Sequence, residues 1–396
     1  MPVSGRPTTA RLLVLAVLVV TTGTQAVFLL GAAFFQIGPE LGLGTVGLGV
    51  LTAAFFLTAS ISSTPLGRWV QRVGWQRAMR LNLRITAVLL TAIAVAARDT
   101  WSLAALLVLS AAVYGMSNPA ANQALADHTD PDRQATLFGA KHAGIPGSTL
   151  LAGLAVPVIV VQFGWRWAFV AAAVTALAVS SFVPRGDLSH LPAPQSRRGR
   201  SAPQPLSTRY LLALAVGSAF ATWAAIGLGT FLVSASLDVG LSESAAGTLQ
   251  FAGSACSIIA RVVAGVVTDR RHGRGFYGMA VLAGLGAVVF FLLPASAGGL
   301  FVVLVVAAFA TGWGWPGLMT YTVVNANRGS AAASSAITQA GVFVGAGLGP
   351  LLLATVIDRW SYDGGWVVVG AGLVAATVIV TVAGRRVAGA SVRRAV

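Results

Sequence analysis

Runs of roughly 20 apolar residues, separated by short polar breaks, recur along the whole chain. They fall near 12–36, 46–67, 81–97, 102–124, 137–161, 165–183, 210–234, 245–267, 276–296, 299–322, 332–356 and 364–383. Each is long enough to cross a ~30 Å hydrocarbon core as a helix, so the pattern predicts twelve membrane spans. The first run is followed by eleven more and is read as a retained helix, not as a cleaved secretory signal. One polar stretch interrupts the series. "PRGDLSHLPAPQSRRGRSAPQPLSTR", Pro184 to Arg209, is rich in Pro, Ser and Arg and predicts a flexible linker. It divides the chain into two six-span bundles, 1–184 and 210–396, joined by 185–209.

The two bundles repeat one another. "ELGLGTVGLG" (Glu40–Gly49) matches "DVGLSESAAG" (Asp238–Gly247) at an offset of 198, and Gly67 matches Gly265 at the same offset. Pro119 matches Pro316 and Gly144 matches Gly341, both at an offset of 197. A constant period across a membrane chain implies a duplicated structural unit, an architecture of many secondary transporters, with a substrate site near the midplane between the halves. The expected fold is all-α: twelve transmembrane helices in two pseudo-symmetric six-helix bundles.

Composition agrees: 56% of residues are hydrophobic and 9% charged, with a mean hydropathy of +0.81, where a soluble protein carries about a quarter charged residues. The net charge of +15 raises the possibility of a nucleic-acid partner, and its distribution argues against one. Arginines cluster in alternate loops: Arg68, Arg72, Arg77 and Arg80; Arg185, Arg197, Arg198, Arg200 and Arg209; Arg270, Arg271 and Arg274; Arg385, Arg386, Arg393 and Arg394. The intervening loops hold Arg98, Arg166 and Arg359 among acidic residues. That asymmetry places both termini in the cytoplasm. The Arg-, Ala- and Gly-rich usage points to a bacterial cell (inner) membrane, with the lipid bilayer as the surroundings and no nucleic acid as partner. The single cysteine, Cys256, rules out a disulfide framework or a cysteine metal site.

The loops after the second and eighth spans read "GRWVQRVGWQR" (Gly67–Arg77) and "GVVTDRRHGR" (Gly265–Arg274). Both resemble the G-x-x-x-D-R-x-G-R signature of the major facilitator superfamily, at the two positions where that family carries it. The resemblance implies gating loops built on Gly67, Gln71 and Arg72 in the first half and Gly265, Asp269 and Arg270 in the second. Two departures stand out. Gln71 replaces the aspartate of the first copy and supplies no charge, and one extra residue separates Asp269 from Gly273.

The resemblance further implies that spans 1, 2, 4 and 5 face spans 7, 8, 10 and 11 across a central cavity. Polar residues fall accordingly. Span 4 aligns Tyr114, Asn118 and Asn122 on one helical stripe, with Pro119 removing a backbone hydrogen bond within it. Span 8 aligns Gln250, Ser254, Ser257 and Arg261; span 1 offers Thr21 and Gln25, and span 11 offers Ser335, Thr338 and Gln339. Span 10 carries the aromatic stretch "GWGWPGLMTY".

No aspartate or glutamate lies mid-span, whereas Lys141, the only lysine among 26 Lys and Arg residues, and Arg261 lie well inside spans 5 and 8. Both are predicted roughly 12 Å from the cytoplasmic edge, in one layer. Two cations there are costly without water or an anion. Arg261-x-x-x-Gly265 also resembles the span 8 arginine of monocarboxylate and oxalate transporters of the superfamily, which contacts a substrate carboxylate. The alternatives are snorkelling for Arg261, and bonding of Lys141 to carbonyls freed by Pro146.

The expected function is a secondary transporter, not an enzyme, that works by alternating access as a monomer on a small organic anion. Arg261 and Lys141 would hold the substrate, and Asn118, Asn122, Tyr114, Gln25 and Gln339 would orient it. His142, the in-span side chain with an ordinary pKa near neutrality, and Lys141 are the candidates for proton coupling. No cofactor or metal is expected. Proton-driven multidrug efflux is the alternative, weakened because "GIPGSTLLAG" lacks the spacing of drug antiporters in span 5 and no in-span carboxylate is present. A transporter-like sensor without turnover is a third reading, and it would call for a cytoplasmic output domain.

Overall fold

The computed structural model describes residues 8–128, 137, 140–185, 206–270, 275–327 and 331–392, with the side chains of 268–270, 275, 324–325, 331–333 and 385–392 outside the description. Among the described residues all regular structure is helical. Among the described residues eleven helices are long and apolar enough to cross a membrane, and Thr9–Gly23 with Gln25–Ala32, bent by 53°, make a twelfth when taken as one span. Spans 2 to 6 are Thr45–Val73, Trp75–Ala96, Thr100–His128, Gly144–Phe163 and Trp165–Phe182. Spans 7 to 12 are Thr208–Asp238, Glu243–Val267, Phe276–Ala295, Gly298–Val323, Ser334–Arg359 and Tyr362–Gly384. Large apolar side chains point outward along them, Val95 (69% exposed), Val174 (60%) and Val303 (64%) among them, as a lipid-facing surface requires. Trp101 and Trp360, 84% and 73% exposed, sit at one boundary, where amphipathic rings favour the headgroup level.

The connections are short and chemically specified. Single glycines at positive φ join span 2 to span 3 (Gly74, φ 83) and span 5 to span 6 (Gly164, φ 92), a backbone region that side chains with a Cβ rarely enter. Asp99 and Ser102 form a capping box at the start of span 4, satisfying amide groups that the helix leaves open. The Asp99 hydrogen bonds hold its carboxyl below the ordinary aspartate value.

The repeat read from the sequence reappears as matched packing. A methyl on Gly144 of span 5 would lie 3.0 Å from the Val17 carbonyl of span 1, and one on Gly341 of span 11 would strike the Ala215 carbonyl of span 7. Both glycines thus admit the backbone of the equivalent neighbour. One continuous apolar core joins the two halves, and in the second half it reaches the arginine-rich end through residues such as Leu211, Phe276 and Val323. At the arginine-rich end the first half keeps a separate core, built from residues such as Leu15, Val70, Trp75, Met79 and Val179.

Candidate functional site

Helix breaks at prolines shape the centre of the molecule. Span 4 breaks at Gly115-Met116 before Pro119, and span 10 breaks at Gly314-Trp315 before Pro316, the matched pair of the repeat. Span 5, expected as one helix over 137–161, is continuous only from Gly144, because His142 and Ala143 form a turn. Pro146 explains part of this. It lacks the N–H that would bond the carbonyl four residues back, so the His142 carbonyl is left free for another donor.

Lys141 lies beside that turn and is 3% exposed. Its Nζ donates to Asn118 Oδ1 at 2.9 Å and to Asn122 Oδ1 at 2.8 Å, so the span 4 stripe becomes its cradle. Asn118 Nδ2 donates in turn to Tyr114 Oη at 3.4 Å, which turns the amide oxygen toward the ammonium. Tyr114 is fixed by stacking on Phe55 at 5.7 Å between centroids. The two partners of Lys141 are neutral, so its charge is solvated but not neutralised.

Arg261 takes the carbonyl that Pro146 frees. Its Nη1 donates to the His142 oxygen at 2.5 Å, a bond between the two halves, and its guanidinium lies 5.9 Å from the centroid of the Trp313 ring. Its head therefore points inward and does not snorkel toward the surface. The carbonyl that was an alternative partner for Lys141 is held by Arg261.

Lys141 and Arg261 line one cavity of about 70 Å³. Tyr114, Asn118, His142 and Gln339 share its wall with Phe56, Thr222, Trp313, Trp315 and Phe343, and among the described residues no acidic side chain does. Asn122 reaches it through Lys141. Gln25 does not: its Oε1 accepts from Ser148 Oγ at 2.8 Å, and it lines a different cleft between spans 1, 5 and 6. Gly67, Gln71, Arg72 and Gly265 lie toward the arginine-rich end and do not line the cavity, and the side chains of Asp269 and Arg270 lie outside the described residues. Sequence reasoning missed Thr222 and Phe343, which no charge or motif marks.

Among the described residues, the contacts that close the cavity lie on one side. Toward the arginine-poor end Phe28 of span 1 meets Phe56 and Trp313, each at 6.3 Å between centroids. Beyond these rings the halves touch backbone to backbone. A methyl on Gly31 would lie 2.6 Å from the Thr230 oxygen, one on Gly153 2.6 Å from the Phe251 nitrogen, and one on Gly49 2.8 Å from the Pro350 oxygen. Thr149 and Ser254 hydroxyls bond at 2.8 Å in the same seam. At the arginine-rich end Gly265 meets nothing within 4 Å, and Gly67 only Pro119 of its own half. Along the span 4 stripe exposure rises in that direction: Tyr114 is buried, Asn118 half-buried and Asn122 exposed.

No curated protein matches the chain. Among solved structures it is similar to a bacterial homolog to the human lysosomal transporter Spinster in the inward-facing, unoccupied conformation. That likeness has 16% identity and a TM-score of 0.75, over 96% of this chain and 98% of the other. The inward-facing, occupied conformation of such a homolog gives 16% identity and a TM-score of 0.68 over 98% of each chain. At that identity the likeness speaks to the fold alone. A family model, described as Major Facilitator Superfamily, matches residues 13–232 and 212–394. With twelve spans, a duplicated half and a cavity between the halves, the chain belongs to the major facilitator superfamily of membrane transporters.

Proposed function

We propose that this chain carries a small organic anion, a carboxylate, across the cell membrane by alternating access. The observation that carries the reading is the cavity itself: two cations, one from each half, line it without an acidic partner among the described residues of its wall. Uncompensated charge in a membrane interior is costly, and an anion seated between Lys141 and Arg261 would offset it. Charge asymmetry of the loops supports a cytoplasmic arginine-rich end, so this state is inward-facing, the state of both similar structures.

In this mechanism a carboxylate arriving from the open side competes with the His142 carbonyl for Arg261 Nη1, a charge-assisted exchange. Bridging Arg261 and Lys141 draws the halves together over the substrate. Closure at Gly67 and Gly265 then requires parting of the Gly31, Gly49 and Gly153 contacts at the other end, since the halves rock as bodies. Asn118, Tyr114 and Gln339 orient the substrate, and Asn122 holds Lys141. Gln25 steadies span 1 on span 5. His142 or Lys141 carries a proton if the cycle is proton-coupled. Each half, 1–184 and 210–396, moves as one body about the 185–209 linker. The aromatic wall of Phe56, Trp313, Trp315 and Phe343 favours a second reading, efflux of neutral or anionic drugs.

The test is counterflow in liposomes with a panel of small carboxylates and cationic dyes, for wild type, Arg261→Gln and Lys141→Gln. Exchange of a carboxylate, reduced at least tenfold by either substitution in folded protein, is the expected outcome. Equal transport by all three proteins removes the anion assignment.

A further inference from the structure

Span 3 turns one stripe outward, and the stripe changes character along its length. Leu81, Val88 and Val95 are exposed on it, with Thr91 between them, a spacing that keeps to a single helical face. Arg77 and Arg84 fall on the same face and are also exposed, and Arg80 lies half-buried at its edge. The helix therefore carries its cations on the side it turns to lipid.

Span 6 completes the patch. Arg80 Nη1 donates to the Pro184 oxygen at 2.7 Å, which ties the arginine-rich end of span 3 to the end of span 6 and brings Arg185 beside it. Arg77, Arg84 and Arg185 each act on the charge of Arg80, so four like charges share one locus. No acidic side chain answers them among the described residues, where the ion pair is Arg166 with Glu40 at the opposite end of the molecule. Exposed apolar groups lie alongside: Leu81 and Val88 on span 3, and Phe182 two residues before Pro184.

Topology alone does not require this arrangement. Loop arginines such as Arg68 and Arg72 already supply charge asymmetry. Arg84 lies well inside span 3, which starts at Trp75, roughly 13 Å along the axis, so its head must reach back along the helix surface toward Arg77 and Arg80. Nor does the duplicated fold require it. Span 9, the counterpart of span 3, holds no charged residue from Phe276 to Ala295 and turns Tyr277, Val281, Leu285 and Val288 outward.

We infer that this patch binds an anionic phospholipid of the surrounding leaflet. Its phosphodiester and headgroup sit among Arg77, Arg80, Arg84 and Arg185, and an acyl chain runs along Leu81 and Val88. Guanidinium forks match phosphate oxygens in geometry as well as charge, and basic pockets between helix ends are suited to such headgroups. The apolar strip beside the cations selects a lipid over a free anion. By bridging Arg77 and Arg84 to Arg185 the lipid clasps span 3 to span 6. The site is separate from the central cavity and does not rest on the carboxylate reading.

The experiment uses the full chain in a neutral detergent, titrated with phosphatidylglycerol, phosphatidylcholine or inorganic phosphate. The thermal transition and the lipid retained in native mass spectrometry are read for each. Wild type is expected to retain phosphatidylglycerol and to be stabilised by it at about tenfold lower concentration than by phosphatidylcholine, with no comparable shift from inorganic phosphate. Arg77→Gln combined with Arg84→Gln should bring the two lipids to within about twofold of each other. A control pair, Arg68→Gln with Arg209→Gln, removes two exposed arginines of the same end and should keep the preference. The inference is overturned if wild type shows no preference, if the Arg77 and Arg84 pair keeps it, or if the control pair loses it equally. Equal stabilisation by inorganic phosphate also overturns it, because the patch is then an anion site and not a lipid site. Arg84→Gln alone carries the test if the double variant fails to fold.

Discussion

Lys141 shows how one residue can look like a ligand and also be a structural liability. Its ammonium is buried, and its acceptors are two neutral amide oxygens on another span. Removing one acceptor leaves a charged donor short, a change worth about 1–3 kcal/mol. Asn118→Leu should therefore lower the thermal transition in detergent, and adding Lys141→Met should recover most of the loss, because replacing both partners of a buried polar pair by apolar groups is nearly neutral. A double variant no more stable than Asn118→Leu alone would mean that the two side chains are not energetically coupled. At this scale the sequence was partly legible. The spacing of Tyr114, Asn118 and Asn122 showed one polar stripe, but not that it would close on Lys141. Pro146 marked a freed carbonyl, but the donor that took it came from the other half.

Between elements, the seam of spans 5 and 8 decides which side of the molecule is closed. Gly153 packs against backbone atoms of Gly247, Gln250 and Phe251, and backbone cannot swing aside as a side chain can. Gly153→Ala should therefore wedge the arginine-poor seam apart. Val156, buried and beside Gly247, is a suitable reporter once changed to cysteine in a Cys256→Ser background. Its labelling by a water-soluble maleimide should quicken several-fold with Gly153→Ala and stay unchanged with Gly265→Ala, where a methyl meets open space. Equal labelling in all three backgrounds would remove this seam as the closing contact. The span pattern itself was readable because a helix crossing a bilayer makes its backbone bonds internally and must stay apolar over the whole hydrocarbon thickness, which forces long apolar runs. The turn at His142-Ala143 within the expected span 5 was not, since proline permits a break without dictating how the chain turns.

Across the whole molecule, the first half is tied at its arginine-poor end. Trp165 Nε1 donates to Glu40 Oε2 at 2.6 Å, Arg166 pairs with Glu40, and Arg166 Nη2 donates to the Ala97 oxygen at 3.1 Å. Gln36 bonds both the Val160 oxygen and the Trp165 nitrogen. The repeat does not copy this knot, because Asp363 stands at the position 197 residues after Arg166. The Trp165 hydrogen bond, with Arg166 adding to it and burial opposing, holds the Glu40 carboxyl below its ordinary value of 4.5. A depressed acid contributes stability that is present above its unfolded pKa and lost as pH falls through its folded one. Wild type should thus melt higher than Glu40→Gln at pH 7, and the gap should shrink below about pH 4.5. A gap independent of pH would assign the knot's contribution to packing and neutral hydrogen bonds instead.

The sequence by itself determined the number of spans, the division into two repeated halves, the charge asymmetry of the two ends and the presence of two cations within the apolar layer. Each is a one-dimensional property that a bilayer makes legible, since hydrocarbon thickness sets span length and buried charge is costly enough to stand out. Tertiary structure alone decided which way each helix faces and whom each polar group meets. Gln25 turned to Ser148 and away from the cavity, Thr222 and Trp315 became part of its wall, and Arg261 crossed between halves to the His142 carbonyl. The physical reason is that a helix of given hydropathy satisfies the bilayer at any rotation, and packing against neighbouring helices selects one.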